Sequence, residues 1–178
     1  VDSSLLSRSL ELTLQLIEMR IPMVVCLNMM DEAHRKGIEI NEQRLRDLTG
    51  VVARPVVAVL GTGIDEIFRE ALRVTTGEYK PVRPEYDRDV EECIARISRQ
   101  YPPELREALP LHDRFVVLRL LEMDDEFERR AAQVDNDFIA IVRDERKRLA
   151  ELHGWPETGV LASHRHALVL DLYEKIAT

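Results

Sequence analysis

The stretch Ile21-Pro22-Met23-Val24-Val25-Cys26-Leu27-Asn28-Met29-Met30-Asp31 decides the fold of the first part of this chain. Residues 21–27 form an almost continuous apolar run, which is the pattern of a parallel strand buried on both faces. Asn28 ends this run, and a short helix is predicted from about residue 31 to residue 36. The sequence therefore places Asn28 and Asp31 where a strand gives way to a helix.

The residues on both sides of this stretch continue the alternation of helix and strand. Ser3 or Ser4 can cap a first helix, which Pro22 stops. The apolar stripe of this helix is wide enough to be buried against a sheet, and it consists of Leu5, Leu6, Leu10, Leu12, Leu16, Ile17 and Met19. A further helix is expected from about residue 42 to residue 48, with Asn41 as its cap.

A second apolar strand is predicted from residues 51–52 and 56–60, and a helix follows from about Ile64. This order favours an α/β layer with parallel strands, but two strands are too few for an independent sheet. The chain opens on Val1-Asp2-Ser3-Ser4 without Met or a signal-peptide pattern. We therefore expect it to begin within a domain whose other strands precede Val1 or come from another chain, and we expect the open sheet edges to favour self-association.

The composition changes between residues 75 and 85, where Gly77, Pro81 and Pro84 interrupt any helix. Beyond this segment, apolar residues recur every three to four positions, which predicts an all-α region of about five helices. The predicted division is an α/β layer at 1–74, a linker at 75–85 and a helical domain at 86–178.

The charge and the cysteines exclude several classes of protein. The chain has 33 acidic and 25 basic residues, and its formal charge of -8 would repel a nucleic acid backbone. Cys26 and Cys93 are distant in sequence and form no Cys-x-x-Cys pair, so we expect reduced thiols rather than a disulfide framework. Because of the acidic charge, we expect no nucleic acid partner.

Asn28 and Asp31 carry the chemistry that the sequence suggests. Ligands of parallel α/β folds bind at the carboxyl ends of strands, and Asp31 could accept both N–H donors on the Watson–Crick edge of guanine. Asn28 could tie neighbouring loops together. The alternative is that Asp31 only caps the helix that follows it.

Several stretches resemble the ferrous iron transport protein B (FeoB) family. Residues 1–16 are similar to its Val-Asp strand end and Leu-Thr-Leu-Gln-Leu helix, and residues 21–33 to its strand and Asn-Met-x-Asp-Glu guanine-specificity motif. Gly63-Ile64-Asp65-Glu66 also falls where the family has it. In the helical part the resemblance rests on residues 162–166 and on Tyr173.

The resemblance implies a partial P-loop GTPase-like sheet followed by a helical domain, and it implies the positions of the guanine-binding residues. Asn28 and Asp31 would recognise the base, and the Met29 side chain would lie along it. The backbone N–H of Ala58 would meet guanine O6. Val57 stands where the family commonly has a small hydroxyl residue, so we expect a loose site that releases GDP quickly.

The parts of a GTPase that act on phosphates are missing from these 178 residues. The sequence has no Gly-x-x-x-x-Gly-Lys-Ser/Thr loop, and the family places this loop and the switch motifs before the point where the chain starts. We therefore expect no catalytic residue and no hydrolysis by this chain, with GTP or GDP and Mg²⁺ held tightly only by a complete domain. The remaining guanine contacts, worth ~2–4 kcal/mol, give roughly millimolar affinity at best.

The resemblance implies that the chain is a cytosolic part of a GTP-dependent Fe²⁺ transporter at the bacterial inner membrane. Its partners would be guanine nucleotide, the first half of the GTPase domain and the transmembrane domain. The alternative is a non-catalytic helical adaptor with an α/β remnant.

No metal site is expected from the polar residues of the helical region. His164 and His166 are two positions apart on a predicted helix, so their side chains point apart. The acidic run of residues 122–128 is expected at a solvated helix start, and residues 143–148 on a solvated helix face with internal ion pairs. Cys93 is expected in the core.

Overall fold

The computed structural model describes residues 1–78 and 80–178, without the side chain of Glu78, and Tyr79 of the predicted linker lies outside the described residues. The chain divides into two compact units. The first, here the α/β unit, contains residues 1–84 and 167–178, and the second, here the helical unit, contains residues 85–166. The predicted limits of the α/β layer, the linker and the helical domain stay a prediction.

The α/β unit begins with a 3-10 turn, Ser3–Leu5, which leads into the first helix. Its regular elements are α1 (Leu6–Glu18), β1 (Val24–Leu27), α2 (Met30–Arg35), α3 (Glu42–Thr49), β2 (Val52–Pro55) and α4 (Ile64–Arg73). A 3-10 turn, Ala58–Leu60, follows β2, and a wide helical turn, Val74–Glu78, follows α4. β1 and β2 pair in parallel from Val24 with Val52 to Leu27 with Pro55. The predicted α/β layer with parallel strands is therefore confirmed.

The core of the α/β unit lies between α1, the sheet and the end of the last helix. Buried apolar side chains from these elements form one cluster: Leu6, Leu10, Leu14, Ile17, Val25, Leu27, Met30, Leu45, Val51, Ala53, Val169, Leu172, Ile176 and Ala177. The apolar stripe predicted for α1 is wrong at two positions, because Leu5 is 53% exposed and Leu12 is 61% exposed. The helix turns Leu14 inward instead.

Two local predictions in this unit are wrong, and both concern backbone polar groups. Residues 56–60 are not a strand, because the N–H of Leu60 donates to the carbonyl of Val57 and closes a 3-10 turn. The predicted serine cap is also wrong, because the Asp2 carboxylate accepts a hydrogen bond of 2.9 Å from the N–H of Ser4 and caps the 3-10 turn. The cap position of α1 itself is Leu5, which makes no side-chain hydrogen bond. The Asn41 cap of α3 is confirmed by a bond of 2.8 Å from the N–H of Arg44.

Residues 86–178 form six helices rather than about five. They are α5 (Arg88–Ser98), α6 (Pro103–Ala108), α7 (Asp113–Leu121), α8 (Asp125–Val134), α9 (Asn136–His153) and α10 (Glu157–Ile176). The additional helix is α6: its first residue is Pro103, and proline is favoured at that position because its missing N–H would have no helical partner. Among the described residues, no helix combines the length and the apolarity needed to span a bilayer.

The helical unit has an apolar core with buried arginines at its edge. Cys93 is completely buried, as predicted, and burial raises the pKa of its thiol to about 11. The predicted solvated face at residues 143–148 is wrong for Arg146, which is 6% exposed. Its guanidinium donates to the carbonyl of Leu120 and pairs with Glu128 and Glu157, so the ion pairs run between helices.

Candidate functional site

The carboxyl ends of β1 and β2 lie side by side because the strands pair in parallel. The N–H of Val56 donates to the carbonyl of Leu27 at 2.8 Å, one step beyond the last paired residues. The loops that leave this edge therefore start close together. Four of the five predicted site residues lie in these two loops, namely Asn28, Met29, Val57 and Ala58, and Asp31 lies in the helix that follows the first loop.

Asn28 is fixed by its backbone and by its side chain. Its N–H donates to the carbonyl of Val1, and its carbonyl accepts from the N–H of Ser3, each at 2.9 Å. Its side-chain Oδ1 accepts a hydrogen bond of 3.0 Å from the backbone N–H of Ala58. The structure thus brings Asn28 and Ala58 together, and one amide side chain joins the loops after β1 and β2.

Met29 reverses the chain between β1 and α2. It has φ 62° and ψ 37°, a left-handed backbone conformation. Residues other than glycine adopt this conformation rarely and at a cost of order 1–3 kcal/mol. The N–H of Met30 then points back at the sheet edge, 3.4 Å from the carbonyl of Val56. Because the turn occurs at Met29, its side chain is 38% exposed at this edge.

Asp31 lies in the first turn of α2 and is exposed. The cap position of this helix is Met29, which makes no side-chain hydrogen bond, so Asp31 is not the cap that the alternative interpretation required. Within residues 1–78 and 80–178, no hydrogen bond or ion pair engages the Asp31 carboxylate. Both of its oxygens are therefore available to an external donor.

The loop from Val57 to Gly63 is closed on itself. The N–H of Val57 donates to the carbonyl of Thr62 at 3.1 Å. Gly63 has φ 80°, and a Cβ at this position would collide with the carbonyl oxygen of Pro55. Only glycine lets the loop return this close to β2. The sequence did not predict this contact between Gly63 and the strand, because the spacing of the glycines gives no signal for it.

Charged groups fix the helix that follows the loop. Arg54 of β2 donates to Glu70 of α4 at 2.6 Å, and it lies 3.9 Å from Glu42 of α3. The hydrogen bond from Arg54 lowers the pKa of the Glu70 carboxyl. Burial raises the pKa of Glu42, against the opposing charge of Arg54. Arg54 therefore ties α4, and with it the end of the loop, to the sheet.

The residues considered for metal binding have other partners. Among the described residues, His, Cys, Asp and Glu side chains form no group of three that could hold a metal ion. His164 Nδ1 lies 2.9 Å from Asp87, whereas His166 is exposed. In the acidic run, Asp124 caps α8 by accepting from the N–H groups of Glu126 and Phe127. The predicted helix start is confirmed at Asp124. The predicted solvation of the run is wrong for Glu122, Asp124 and Glu128, whose side chains are 13%, 22% and 20% exposed and pair with arginines.

Two family comparisons together match nearly the whole chain. Residues 1–71 match Ferrous iron transport protein B, and residues 86–178 match the FeoB cytosolic helical domain. The Fe(2+) transport protein A/Fe(2+) transporter FeoB fusion protein of Porphyromonas gingivalis is 32% identical over 148 residues, which cover 81% of this chain and 18% of the relative. The Fe(2+) transporter FeoB of Escherichia coli is 42% identical over 80 residues, which cover 45% of this chain and 10% of the relative.

Solved structures with the same fold come from S. thermophilus. A crystal structure of a GDP-bound NFeoB variant has a TM-score of 0.85 and 25% identity, and it is matched over 100% of this chain and 67% of that chain. A crystal structure of a GDP-bound variant of the FeoB G-domain has a TM-score of 0.83 and 27% identity, and it is also matched over 100% of this chain and 67% of that chain. The chain spans 18% or less of these two curated relatives. The chain belongs to the FeoB family, and it combines part of the NFeoB G-domain fold with the helical domain of that family.

Proposed function

We propose that Asn28, Met29, Asp31, Val57 and Ala58 form the guanine-binding edge of a GTP-binding domain. The observation that carries this proposal is the hydrogen bond of 3.0 Å from the Ala58 N–H to Asn28 Oδ1, because it joins the two loops that would enclose a base. The same edge presents the exposed Asp31 carboxylate. The S. thermophilus structures described above are bound to GDP, which supports the same ligand here.

Asp31 supplies the selectivity in this proposal. Its carboxylate has two acceptor oxygens, and guanine has two adjacent N–H donors on its Watson–Crick edge. Adenine has a ring nitrogen acceptor there, which a carboxylate repels. The Met29 side chain is exposed and flexible enough to lie along the base.

Ala58 and Val57 set how firmly the base is held. We assign the Ala58 N–H to guanine O6, yet this N–H already donates to Asn28 Oδ1, so the base has to share it or displace the bond. Val57 has no hydroxyl that could support the loop, and its own N–H is used by Thr62. These features support the expectation of fast GDP release, which a slow off-rate in a complete domain would contradict.

We further propose that these residues act within a longer Fe²⁺ transporter on the cytoplasmic face of a bacterial inner membrane, and that the helical region couples nucleotide state to transport. The much longer FeoB relatives support this proposal. The partners would be a phosphate-binding first half of the domain, which supplies hydrolysis and holds Mg²⁺, and a transmembrane domain. Phe68 and Leu72 lie one turn apart on α4 and are 66% and 69% exposed, which supports a missing neighbour or self-association.

Titration of the ¹⁵N-labelled chain with GDP and with ADP tests this function. We expect GDP to shift the amide signals of Asn28, Met29, Asp31 and Ala58, with half-saturation at about 1 mM or above. ADP carries the same phosphates on a different base, and it should leave these signals in place. Equal responses to the two nucleotides, or GDP shifts confined to other residues, would contradict the proposal. No phosphate should be released from GTP.

A further inference from the structure

The last residues of the chain pack into the α/β unit. Residues 167–178 belong to this unit, although α10 begins in the helical unit. Three side chains of this segment, Val169, Leu172 and Ile176, are 2%, 6% and 2% exposed and belong to the core cluster. The end of α10 is thus part of the core on which the predicted guanine loops rest.

Backbone hydrogen bonds continue this contact beyond the helix. The N–H of Glu39 donates to the carbonyl of Thr178 at 2.9 Å, and the N–H of Thr178 donates to the carbonyl of Glu39 at 3.0 Å. The N–H of Asn41 donates to the carbonyl of Ile176 at 2.8 Å. Together they form an antiparallel bridge centred on Ile40 and Ala177. Residues 39–41 are therefore hydrogen-bonded to the last residue of α10, Ile176, and to the two residues that follow it.

A short path connects this bridge to the Asn28 loop. The N–H of Ile38 donates to the carbonyl of Ala33 in α2 at 2.9 Å, so residue 38 is attached to the end of that helix. α2 has only six residues, or about 9 Å of rigid helix, and its first residue follows Met29 directly. Met30 and Ala33 of this helix are buried. Residues 38–41 are therefore attached to the helix that follows the Asn28 loop.

We propose that Ile176, Ala177 and Thr178 form a latch that holds residues 39–41 and, through α2, restrains the loops joined by Asn28 and Ala58. Docking of the end of α10 and order in these loops then favour each other, since coupling between two sites is reciprocal. The restraint is independent of any ligand. Its consequence, that the latch strengthens guanine binding, rests on the function proposed above.

Thr178→Pro tests the latch, and Thr178→Ala is its matched control. Proline removes the N–H that donates to Glu39 while the apolar residues of α10 stay in place, whereas alanine keeps this N–H and loses only the hydroxyl. Amide hydrogen exchange in the 178-residue chain reports each bond separately. We expect Thr178→Pro to speed exchange of the Glu39 and Asn41 amides about fivefold or more, as for the loss of one backbone hydrogen bond.

The Met30 and Ala58 amides should also exchange faster in Thr178→Pro, by about twofold or more, and at unchanged rates in Thr178→Ala. Glu39→Pro removes the opposite donor and should reproduce the effect, with Glu39→Ala as its control. Loss of protection confined to residues 39–41, unchanged protection there, or equal effects of proline and alanine would overturn the latch. If the unaltered chain does not respond to GDP, the proposed function fails while the exchange result still decides the restraint.

Discussion

The side-chain oxygen of Asn28 accepts a hydrogen bond from the backbone N–H of Ala58, 30 positions further along the chain. This bond links the ends of two parallel strands outside the sheet ladder itself. Because the backbone of Asn28 is held on both sides, by Val1 and Ser3, the acceptor oxygen has little freedom. The geometry of the candidate site therefore depends on this one amide.

Asn28→Ala should release the Ala58 N–H. We expect a loss of about 1 kcal/mol in the free energy of unfolding, since a neutral hydrogen bond contributes about that much. Amide exchange at Ala58 should accelerate in parallel. Asn28→Asp is the control, because it keeps an acceptor oxygen at the same place and should preserve protection of Ala58 at pH 7. Unchanged exchange in Asn28→Ala would show that the bond does not hold the loop.

Gly63→Ala should cost more than Gly61→Ala. Both glycines have left-handed backbones, with φ 80° and φ 72°, so alanine is strained at either position. At Gly63 the added Cβ also collides with the carbonyl of Pro55, whereas nothing lies within 4 Å of a Cβ at Gly61. We expect losses of about 3 kcal/mol and about 1 kcal/mol in urea unfolding. Equal losses in the two variants would show that the close approach of Gly63 to β2 does not affect stability.

Glu70 should make the α/β unit sensitive to acid. The hydrogen bond from Arg54 lowers the folded-state pKa of Glu70 below its ordinary value of 4.5. Ionised Glu70 therefore stabilises the fold above pH 4.5, and this contribution is lost as the pH falls through the lowered pKa. Glu70→Gln should lower the free energy of unfolding by about 1.5 kcal/mol at pH 7 and by much less at pH 3.

Glu66→Gln is the matched control for Glu70→Gln. The Glu66 side chain is 54% exposed and lies 3.7 Å from Arg69 on the same helix. Urea unfolding at the two pH values should give the same free energies for this variant and for the unaltered chain. A pH-independent loss in Glu70→Gln would contradict the account.

Arg146→Ala should destabilise the helical unit strongly. Arg146 is buried, and its removal leaves Glu128 with only part of its pairing and Glu157 without its buried cation. We expect the free energy of unfolding, measured by heat or urea, to fall by about 3 kcal/mol or more. Arg143 also pairs with Glu128, but its side chain is 56% exposed, so Arg143→Ala should cost at most about 1 kcal/mol. Similar losses in both variants would argue against the buried role of Arg146.

The sequence predicted the features that depend on local pattern. The apolar run that ends at Asn28 folds as β1, but only over Val24–Leu27. The predicted burial on both faces is wrong, because Val25 and Leu27 are buried whereas Val24 and Cys26 are only half-buried. Asn41 caps α3 as predicted, since this role follows from the residue type itself. The end of β1 also placed Asn28 and Asp31 correctly, just beyond the last residue of the strand.

Features that depend on contacts distant in sequence could not be predicted in this way. Residues 56–60 have the composition of a strand, but the 3-10 turn at Ala58–Leu60 and the bond from Ala58 to Asn28 hold them in a loop. Arg146 looks like a surface residue because its partners come from three other helices. The pairing of Glu39 with Thr178 likewise joins segments that are far apart in the sequence.

The most direct test of the central claim is the base preference of Asp31→Asn. An asparagine offers one donor and one acceptor, so it fits xanthine, which has a carbonyl where guanine has an amino group. In amide-shift titrations, this variant should lose the response to GDP and gain one to xanthosine diphosphate, while its stability stays within about 0.5 kcal/mol because the residue is exposed. A GDP response that persists in Asp31→Asn would show that Asp31 does not read the base and would contradict the account.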